Sequence, residues 1–214
     1  MRRAVDIVVA IVVMVVVAPA AAIVGILILT RMGRPVLFRQ RRVGRDGALF
    51  TVVKFRTMRP PAWPGERDDQ RTPRLGALLR ASSLDELPQL WNILRGEMSF
   101  IGPRPTLSEQ VEHYTPRQRG RLAIRPGLTG WAQVNGRNSI SWPERIELDL
   151  WYIEHRGVAL DTKILLRTAA RLVKPQGVTG RGGVNPDFPV PAPAEPTAAP
   201  VMEATSITPE LERP

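Results

Sequence analysis

The stretch IVVAIVVMVVVAPAAAIVGILIL, from Ile7 to Leu29, is 23 residues long and contains no charged side chain. A helix rises about 1.5 Å per residue, so a straight helix over this stretch would cross the hydrocarbon layer of a bilayer, which is about 30 Å thick. The stretch is therefore predicted to be a membrane element.

Three kinds of membrane element fit it: a cleaved signal peptide, a spanning helix and a re-entrant helix that returns to the side it entered from. Arg2, Arg3 and an Ala-x-Ala pattern at 18–20 fit a signal peptide, but the apolar run continues for nine residues beyond that pattern. The other end of the stretch is followed by more arginines: Arg31, Arg34, Arg39, Arg41 and Arg42. Because positive charge prefers the cytoplasmic side, these arginines place the rest of the chain in the cytoplasm.

Arg2 and Arg3 lie on that same side only if the helix bends. Pro19 breaks a main-chain hydrogen bond near the middle and can supply the bend, although spanning helices also tolerate proline. The residues alone leave the re-entrant and the spanning helix open.

The composition narrows the classes of partner. The chain has no cysteine and two histidines, which excludes disulfides and thiolate metal sites and disfavours structural zinc. A hard ion held by oxygen atoms stays open. The formal net charge of +10 predicts an anionic partner, which could be nucleic acid, an acidic membrane surface or a phosphorylated substrate.

Composition also divides the chain into three segments. Residues 1–33 hold the membrane element, and residues 34–176 read as one small cytoplasmic domain. Residues 177–214 are rich in glycine, then in proline, alanine and acidic side chains, and are predicted to be a disordered tail because they hold too little apolar surface to offset their ordering entropy.

Within the second segment, VLFRQRRVGRDGALFTVVKFRTM alternates around a turn at Gly44–Gly47 and predicts a β-hairpin. Because side chains two positions apart lie on the same face of a strand, Lys54 and Arg56 are predicted to share one face of the second strand. That face is either a solvated basic strand or a place to hold a diphosphate. RLGALLRASS is predicted to be helical and carries Arg80.

Two more helices are predicted near the end of this segment. Ser141 and Glu144 form a capping box, after which Glu147 and Asp149 are predicted to be surface charges. Asp161 is predicted to cap the last helix. That helix sets Lys163, Arg167 and Arg171 opposite Ile164, Leu165 and Leu172. This pattern fits a helix on the membrane surface and an ordinary amphipathic helix equally well.

The stretch SSLDELPQLWNILRGEMSFIGPRP, residues 82–105, places two carboxylates at the head of an apolar run. One interpretation is a helix start, with Asp85 as the cap, Ser83 and Glu86 as a capping box, and Gly96 as the stop. The rigid GPRP that follows holds Arg104 at a fixed angle. The other interpretation is that the carboxylates take part in catalysis.

Four motifs, KFRTM, LRASSLDELPQLWNILRGEMSFIGPRP, RPGLTGWAQVNGR and LDLWYIEHRGVALDTKILLRT, occur in this order and together resemble the bacterial sugar transferase family of monotopic phosphoglycosyl transferases. The resemblance implies transfer of a sugar 1-phosphate from a UDP-sugar to undecaprenyl phosphate at the cytoplasmic face of the bacterial membrane, with release of UMP. Such a step begins the assembly of exopolysaccharide, capsule, O-antigen or a glycoprotein glycan.

The resemblance also assigns roles to residues. It implies that Asp85 is the nucleophile that forms an aspartyl phosphosugar, that Glu86 helps to hold Mg²⁺, and that basic side chains bind the substrate phosphates. These are Lys54, Arg56, Arg80 and Arg104. Relatives carry a re-entrant helix broken at Ser-Pro, for which this chain has Ala18-Pro19, so the resemblance favours the re-entrant form.

The expected fold is thus α+β and predominantly helical: a re-entrant membrane helix and a cytoplasmic catalytic domain with a β-hairpin and membrane-surface helices. Expected partners are the UDP-sugar, undecaprenyl phosphate and anionic lipids of the inner leaflet, while the sugar, contacts with downstream glycosyltransferases and the oligomeric state stay open. A nucleic-acid-binding protein would need aromatic platforms or a recognition helix, and the sequence shows neither. A noncatalytic membrane scaffold is the other alternative, and mutation of Asp85 separates it from an enzyme.

Overall fold

The computed structural model describes residues 2–63, 66–136 and 139–173, so the tail predicted for residues 177–214 lies outside the described residues. The predicted α+β, mainly helical class is confirmed. The helices are α1 (Arg2–Met32), α2 (Arg74–Ala81), α3 (Leu90–Arg95), α4 (Ser108–Glu112), α5 (Pro116–Arg119), α6 (Trp131–Asn135), α7 (Trp142–His155) and α8 (Val158–Val173). The strands are β1 (Leu37–Val43), β2 (Leu49–Phe55), β3 (Ser99–Ile101) and β4 (Gly127–Thr129). Short 3-10 helices cover Arg45–Gly47, Leu84–Gln89 and Gly120–Leu122.

The apolar stretch forms one continuous helix, α1, which passes through Pro19. By length and composition α1 can cross a membrane, with a mean hydropathy of 3.1 over an 18-residue window. One side of α1 is buried near both ends, at Asp6, Ala10, Val24 and Ile28, and half-buried between them. The other side exposes apolar side chains: Val8, Val12, Val15, Val16, Ile23 and Ile26. The helix therefore lies along the domain and turns an apolar surface outward.

Two apolar clusters join α1 to the rest of the protein. The first surrounds its N-terminal half and consists of Ala10, Phe50, Val52, Leu90, Ile93 and Met98. The second surrounds its C-terminal half and consists of Val24, Ile28, Phe55 and Leu79, with Leu84 and Leu87 packed against it. The segment from Leu84 to Arg95 thus lies along the middle of α1.

The hairpin predicted around Gly44–Gly47 is confirmed. β1 and β2 pair antiparallel with Phe38 opposite Lys54. In the turn, Asp46 and Gly47 have φ of 54° and 81°, a left-handed region that Asp and Gly tolerate. This hairpin is what carries Lys54 toward α2 and the 3-10 helix.

A helical segment does begin after Ser83, but the capping predicted for it is wrong. Ser83 has a φ of 57° and its side chain makes no capping hydrogen bond, so neither the capping box with Glu86 nor the cap by Asp85 forms. Both carboxylates lie inside the 3-10 helix Leu84–Gln89, which leads into α3. The predicted stop is confirmed, since Gly96 ends α3 with a φ of 80°.

The start of α7 is confirmed, because Ser141 and Glu144 form the predicted capping box. The prediction that Asp149 is a surface charge is wrong. Asp149 is buried and its carboxylate accepts a hydrogen bond from Nε of Arg121 at 2.7 Å. Glu147 does lie at the surface, where it pairs with an arginine of α5.

In α8, Asp161 lies within the first turn, so its predicted role as the cap is wrong. Ile164 is buried, and Lys163 and Arg167 beside it lie over the ring of Trp131. Apolar side chains at Val158, Leu165, Leu166 and Leu172 are exposed. The outward face of α8 is therefore apolar, with two of its cations held against α6.

A parallel pair of short strands, β3 and β4, was not predicted. Ser99 pairs with Gly127 and Ile101 with Thr129. The chain after β3 passes so close to β4 that a Cβ on Gly102 would lie 2.5 Å from the carbonyl oxygen of Arg125. This pair fixes the start of the loop that carries Arg104.

Candidate active site

Asp85 and Glu86 lie on a 3-10 helix that is too short for its own hydrogen bonds to fix its position in the fold. Leu84 and Leu87 anchor the 3-10 helix in the cluster around the C-terminal half of α1. Between these anchors, Asp85 and Glu86 are each 8% exposed. A pair of adjacent buried carboxylates is costly without cationic partners.

Glu86 has two such partners, which come from different parts of the chain. Nζ of Lys54 on β2 donates to Oε1 of Glu86 at 2.6 Å, and Nη2 of Arg104 donates to the same oxygen at 3.2 Å. Burial lowers the pKa of Lys54, and the charge of Glu86 opposes this. The structure therefore brings Lys54, Glu86 and Arg104 together in one cluster.

Asp85 has a different electrostatic environment from its neighbour. Burial raises the pKa of the Asp85 carboxyl above its usual value, and the negative charge of Glu86 raises it further. The positive charges of Lys54, Arg104 and Arg80 act in the opposite direction. Asp85 thus lies among positive charges. An incoming phosphate would be attracted by these same charges.

Arg80 is brought to this site by the close approach of α2 to the end of the hairpin. Nε of Arg80 donates to Oγ1 of Thr57 at 3.0 Å, and its Nη2 contacts the Met58 sulfur. A Cβ at Gly76, one turn before Arg80, would lie 1.9 Å from the carbonyl oxygen of Thr57. Only glycine allows α2 to lie this close.

Arg56 is not part of the cluster. Its guanidinium donates to the carbonyl oxygens of Met32, Gly33 and Arg34 where α1 ends. The period-two pattern predicted that Arg56 shares a strand face with Lys54, but β2 ends at Phe55, and the carbonyls at the negative end of α1 are the partners of Arg56. Arg56 therefore connects α1 to the hairpin in this structure.

The carboxylates fit a magnesium ion only in combination with a substrate. Among the described residues, no group of three or more His, Asp or Glu could hold a metal. Asp85 and Glu86 offer hard oxygen donors, and Mg²⁺ is commonly bound by one or two carboxylates together with substrate phosphates and water. Oε1 of Glu86 would share its charge between the ion and the two cations that already contact it.

Sequence reasoning missed a buried network that fixes the loop of Arg104. Arg121 donates to Asp149, to the hydroxyl of Tyr114 at 2.7 Å and to the main-chain carbonyl of Arg104 at 3.0 Å. The ion pair is almost fully buried, with side-chain exposures of 3% and 2% for Arg121 and Asp149. No local sequence pattern predicts this ion pair, because Arg121 lies on the 3-10 helix Gly120–Leu122 and Asp149 lies on α7.

Arg42 is a second residue that the sequence did not single out. Burial and the nearby charge of Arg104 lower the pKa of Arg42 to about 10. Its guanidinium donates to Oε1 of Gln40 at 2.6 Å. It adds one more positive charge on the Arg104 side of the cluster.

This arrangement suits chemistry on phosphate. A buried carboxylate, Asp85, lies beside cations that can receive anionic oxygens, and it is flanked by a second carboxylate whose charge is already paired. A carboxylate is a competent nucleophile toward a phosphoryl group when cations screen the charge of the incoming anion.

Comparison with known proteins agrees with this geometry. The family model for bacterial sugar transferases matches residues 1–175. The chain is similar to a protein of Bacillus subtilis named "Uncharacterized sugar transferase EpsL", with 44% identity over 156 residues that cover 69% of this chain and 75% of the relative. It is also similar to the UDP-glucose:undecaprenyl-phosphate glucose-1-phosphate transferase of Caulobacter vibrioides, with 40% identity over 80% of this chain and 69% of the relative.

A longer relative is the undecaprenyl-phosphate galactose phosphotransferase of Salmonella typhimurium, which is 34% identical over 83% of this chain. The chain spans 41% of that relative's length. On the family match, which includes α1 and all of the clustered residues, the chain belongs to the bacterial sugar transferase family.

Proposed function

We propose that the protein transfers a sugar 1-phosphate from a UDP-sugar to undecaprenyl phosphate at the cytoplasmic membrane. The observation that carries this proposal is the pair Asp85 and Glu86, buried beside Lys54 and Arg104 on a segment that packs along the apolar helix α1. The names of the Caulobacter and Salmonella relatives support the substrate classes.

In the first step, an oxygen of the Asp85 carboxylate attacks the sugar-bearing phosphorus of the UDP-sugar. A bond forms between that oxygen and the phosphorus, the bond from the phosphorus to the bridging oxygen breaks, and UMP leaves with that oxygen. Arg80 and Lys54 are placed to receive the non-bridging oxygens, whose negative charge would otherwise repel the carboxylate.

In the second step, an oxygen of undecaprenyl phosphate attacks the same phosphorus. The bond to Asp85 breaks, the carboxylate is restored, and undecaprenyl diphosphate-sugar is released. The 3-10 helix packs on α1, so an acceptor held in the membrane has a short path to Asp85. Arg104 donates to Oε1 of Glu86, so its positive charge stabilises that carboxylate as an anion.

Glu86 would help to hold Mg²⁺ when a diphosphate is bound. The ion would supply additional screening of phosphate charge. Turnover assayed over a range of Mg²⁺ concentrations, in the wild type and in Glu86→Gln, tests this assignment, since the variant should need more Mg²⁺ for the same rate.

We also propose that both ends of α1 lie on the cytoplasmic side of the membrane, so that the helix dips into the bilayer without spanning it and bends at Pro19, which lies within it. Both ends of α1 contact the same domain. At the first end, Arg2 pairs with Asp161 at 3.0 Å and Asp6 accepts a hydrogen bond from Ser99 at 2.9 Å, while Arg56 binds the carbonyls at the other end. A spanning helix would carry one end about 30 Å away from the domain and break one set of these contacts.

The decisive experiment is Asp85→Asn in full-length protein reconstituted in nanodiscs with undecaprenyl phosphate. Each protein is assayed with a panel of UDP-sugars that carry a radiolabel on the sugar. The wild type should release UMP and form labelled lipid. The variant should lose at least 99% of turnover, which corresponds to a barrier about 3 kcal/mol higher. An amide keeps the size of the side chain but cannot attack phosphorus.

The matched control is Asp46→Asn, which changes an exposed turn aspartate at a φ that asparagine also tolerates. It should leave turnover intact. Without an acceptor lipid, label should accumulate on the wild-type protein and not on Asp85→Asn. Turnover by pure Asp85→Asn above a few per cent of the wild-type rate rejects the nucleophile, and turnover by neither protein with any UDP-sugar rejects the enzyme.

A further inference from the structure

A second cationic site lies at the N-terminal end of α1, separate from the residues around Asp85. A cleft of about 220 Å³ opens there between α1, β3 and the chain that leads into β4. Its charged lining residues are five arginines and one aspartate: Arg2, Arg3, Arg45, Arg125, Arg156 and Asp6. It shares no lining residue with the cluster around Glu86.

The carboxylates near the cleft do not neutralise all of its arginines. Asp161 pairs with Arg2 and Asp46 pairs with Arg45. Asp6 accepts hydrogen bonds from Ser99, through its hydroxyl and at 2.9 Å, and from a main-chain N–H of β3. The charge of Asp6 is thus directed at neutral donors.

The other three arginines have no carboxylate partner among the contacts of the described residues. Arg3 donates to the carbonyl oxygens of Ile93 and Leu94, and Nε of Arg125 donates to the carbonyl oxygen of Gly96 at 2.7 Å. Two guanidinium groups therefore converge on the end of α3, and Arg156 lines the same space. Several positive charges that line one cleft attract an anion into it.

The cleft also lies beside the apolar outer surface of α1, where anionic lipids would be the nearest anions. Val5 and Val8, which follow Arg3 along α1, are each 60% exposed and begin its apolar outer surface. If α1 is embedded as proposed above, the cleft opens at the level of the lipid headgroups. Basic residues at that level are attracted to anionic lipids by about 1 kcal/mol each.

We infer that this cleft binds the phosphodiester of an anionic membrane lipid. Guanidinium groups match phosphate oxygens in pairs, and the cleft offers several of them around one space. A lipid bound there would fix the first turn of α1 at the cytoplasmic surface. This inference rests on the proposed membrane placement of α1, and it does not depend on the chemistry at Asp85.

The test uses full-length protein in a neutral detergent, without UDP-sugar. Binding of short-chain phosphatidylglycerol is measured by native mass spectrometry, with phosphatidylcholine of the same chain length and inorganic phosphate as separate arms. The wild type should bind phosphatidylglycerol more tightly than either. Arg156→Gln and Arg125→Gln should each weaken that binding by about fivefold, the equivalent of ~1 kcal/mol per basic residue.

Arg119→Gln is the matched control, because Arg119 is exposed on α5 and does not line the cleft. It removes the same charge and should leave phosphatidylglycerol binding unchanged. Arg156 is also exposed, so its variant should keep the wild-type circular dichroism and melting temperature.

Equal binding of the two lipids, or an equal loss in Arg119→Gln, would overturn the site. Inorganic phosphate that displaced the lipid at equal concentration would overturn the assignment to a lipid. Because binding is measured without substrate, failure here leaves the transferase intact, and an inactive protein that still bound the lipid through Arg125 and Arg156 would reject only the transferase.

Discussion

Adjacent carboxylates at residues 85 and 86 differ in their electrostatic environments. Glu86 accepts hydrogen bonds from Lys54 and Arg104, whereas Asp85 is raised in pKa by burial and by the charge of Glu86 itself. One carboxylate is thus stabilised as an anion, and the other is kept more basic. In a nucleophile, a higher pKa gives a more reactive anion, provided that it is still ionised at the working pH.

This arrangement predicts opposite shifts of the acid limb in a plot of kcat/KM against pH. The reaction needs ionised Asp85, so the rate falls as the pH drops through the pKa of Asp85. Glu86→Gln removes a like charge, lowers that pKa and should move the limb to lower pH. Lys54→Met removes a cation, raises that pKa and should move the limb to higher pH.

Residual turnover of both variants, measured in nanodiscs from about pH 3.5 to 8, checks this prediction, since that range includes the ordinary carboxyl pKa of about 4 and raised values above it. Asp46→Asn should leave the limb in place. Shifts of the two variants in the same direction would show that a group other than Asp85 sets the limb.

The buried pair of Arg121 and Asp149 predicts a separation of stability from activity. Asp149→Leu leaves Arg121 buried without its partner and should lower the free energy of unfolding by about 3–5 kcal/mol. The double variant Arg121→Met, Asp149→Leu removes both charges and should regain much of that stability. Its turnover should stay low, because the carbonyl of Arg104 has lost the donor that fixes its loop.

Thermal unfolding and kcat in the two variants are the measurements. Recovery of kcat together with stability in the double variant would mean that the network supports the fold and does not position Arg104. Arg121→Lys, which keeps the charge with fewer donors, should fall between the wild type and the double variant in turnover.

At the scale of elements, the contact between α2 and the end of the hairpin decides where Arg80 lies. Gly76→Ala would place a Cβ against the Thr57 carbonyl oxygen, so α2 must move away from β2. We expect overpacking and strain to lower the free energy of unfolding by about 2–4 kcal/mol. Because Arg80 moves with α2, we also expect a higher KM for the UDP-sugar.

Gly25→Ala is the control for this substitution. Its Cβ would meet Val36 at 3.8 Å, an ordinary contact, and the residue lies in a helix, where alanine is favoured over glycine by roughly 1 kcal/mol. A Gly76→Ala protein as stable and active as Gly25→Ala would show that α2 can shift without cost.

The elements that the sequence predicted well are those whose signals lie within a few residues. Asp46 and Gly47 mark a hairpin turn, Gly96 ends a helix, and Ser141 caps one, each by local geometry. Asp149 was predicted wrongly because its burial depends on Arg121, 28 residues away. The pairing of β3 with β4 was missed for the same reason, since each strand has only three residues and too little pattern to read.

The candidate site shows the same division. Asp85 and Glu86 could be singled out from one stretch, and the resemblance to relatives added the basic residues. Only the fold shows that Lys54 and Arg104 meet on one oxygen of Glu86, because these residues are 32 and 18 positions away from it. The different position of Arg56 likewise depends on where α1 ends.

At the scale of the whole molecule, contacts at both ends of α1 predict that the two ends lie on one side of the membrane. Single cysteines at Ala4 and Glu112 can be read directly, since the chain has no native thiol. In intact cells an impermeant thiol reagent should label neither, and after permeabilisation it should label both. Labelling of Ala4→Cys alone in intact cells would mean that α1 spans the bilayer.

The buried side of α1 also sets an order for biogenesis. α1 leaves the ribosome before its partners Ile93, Met98 and Ser99, which are translated some ninety residues later. Until then the nascent helix lacks much of its protein cover and needs lipid or a chaperone, so we expect targeting to the membrane to precede completion of the fold. For the same reason a fragment that starts after Gly33 would bare Phe50, Val52 and Ile93 to water, and it would aggregate instead of giving a soluble transferase.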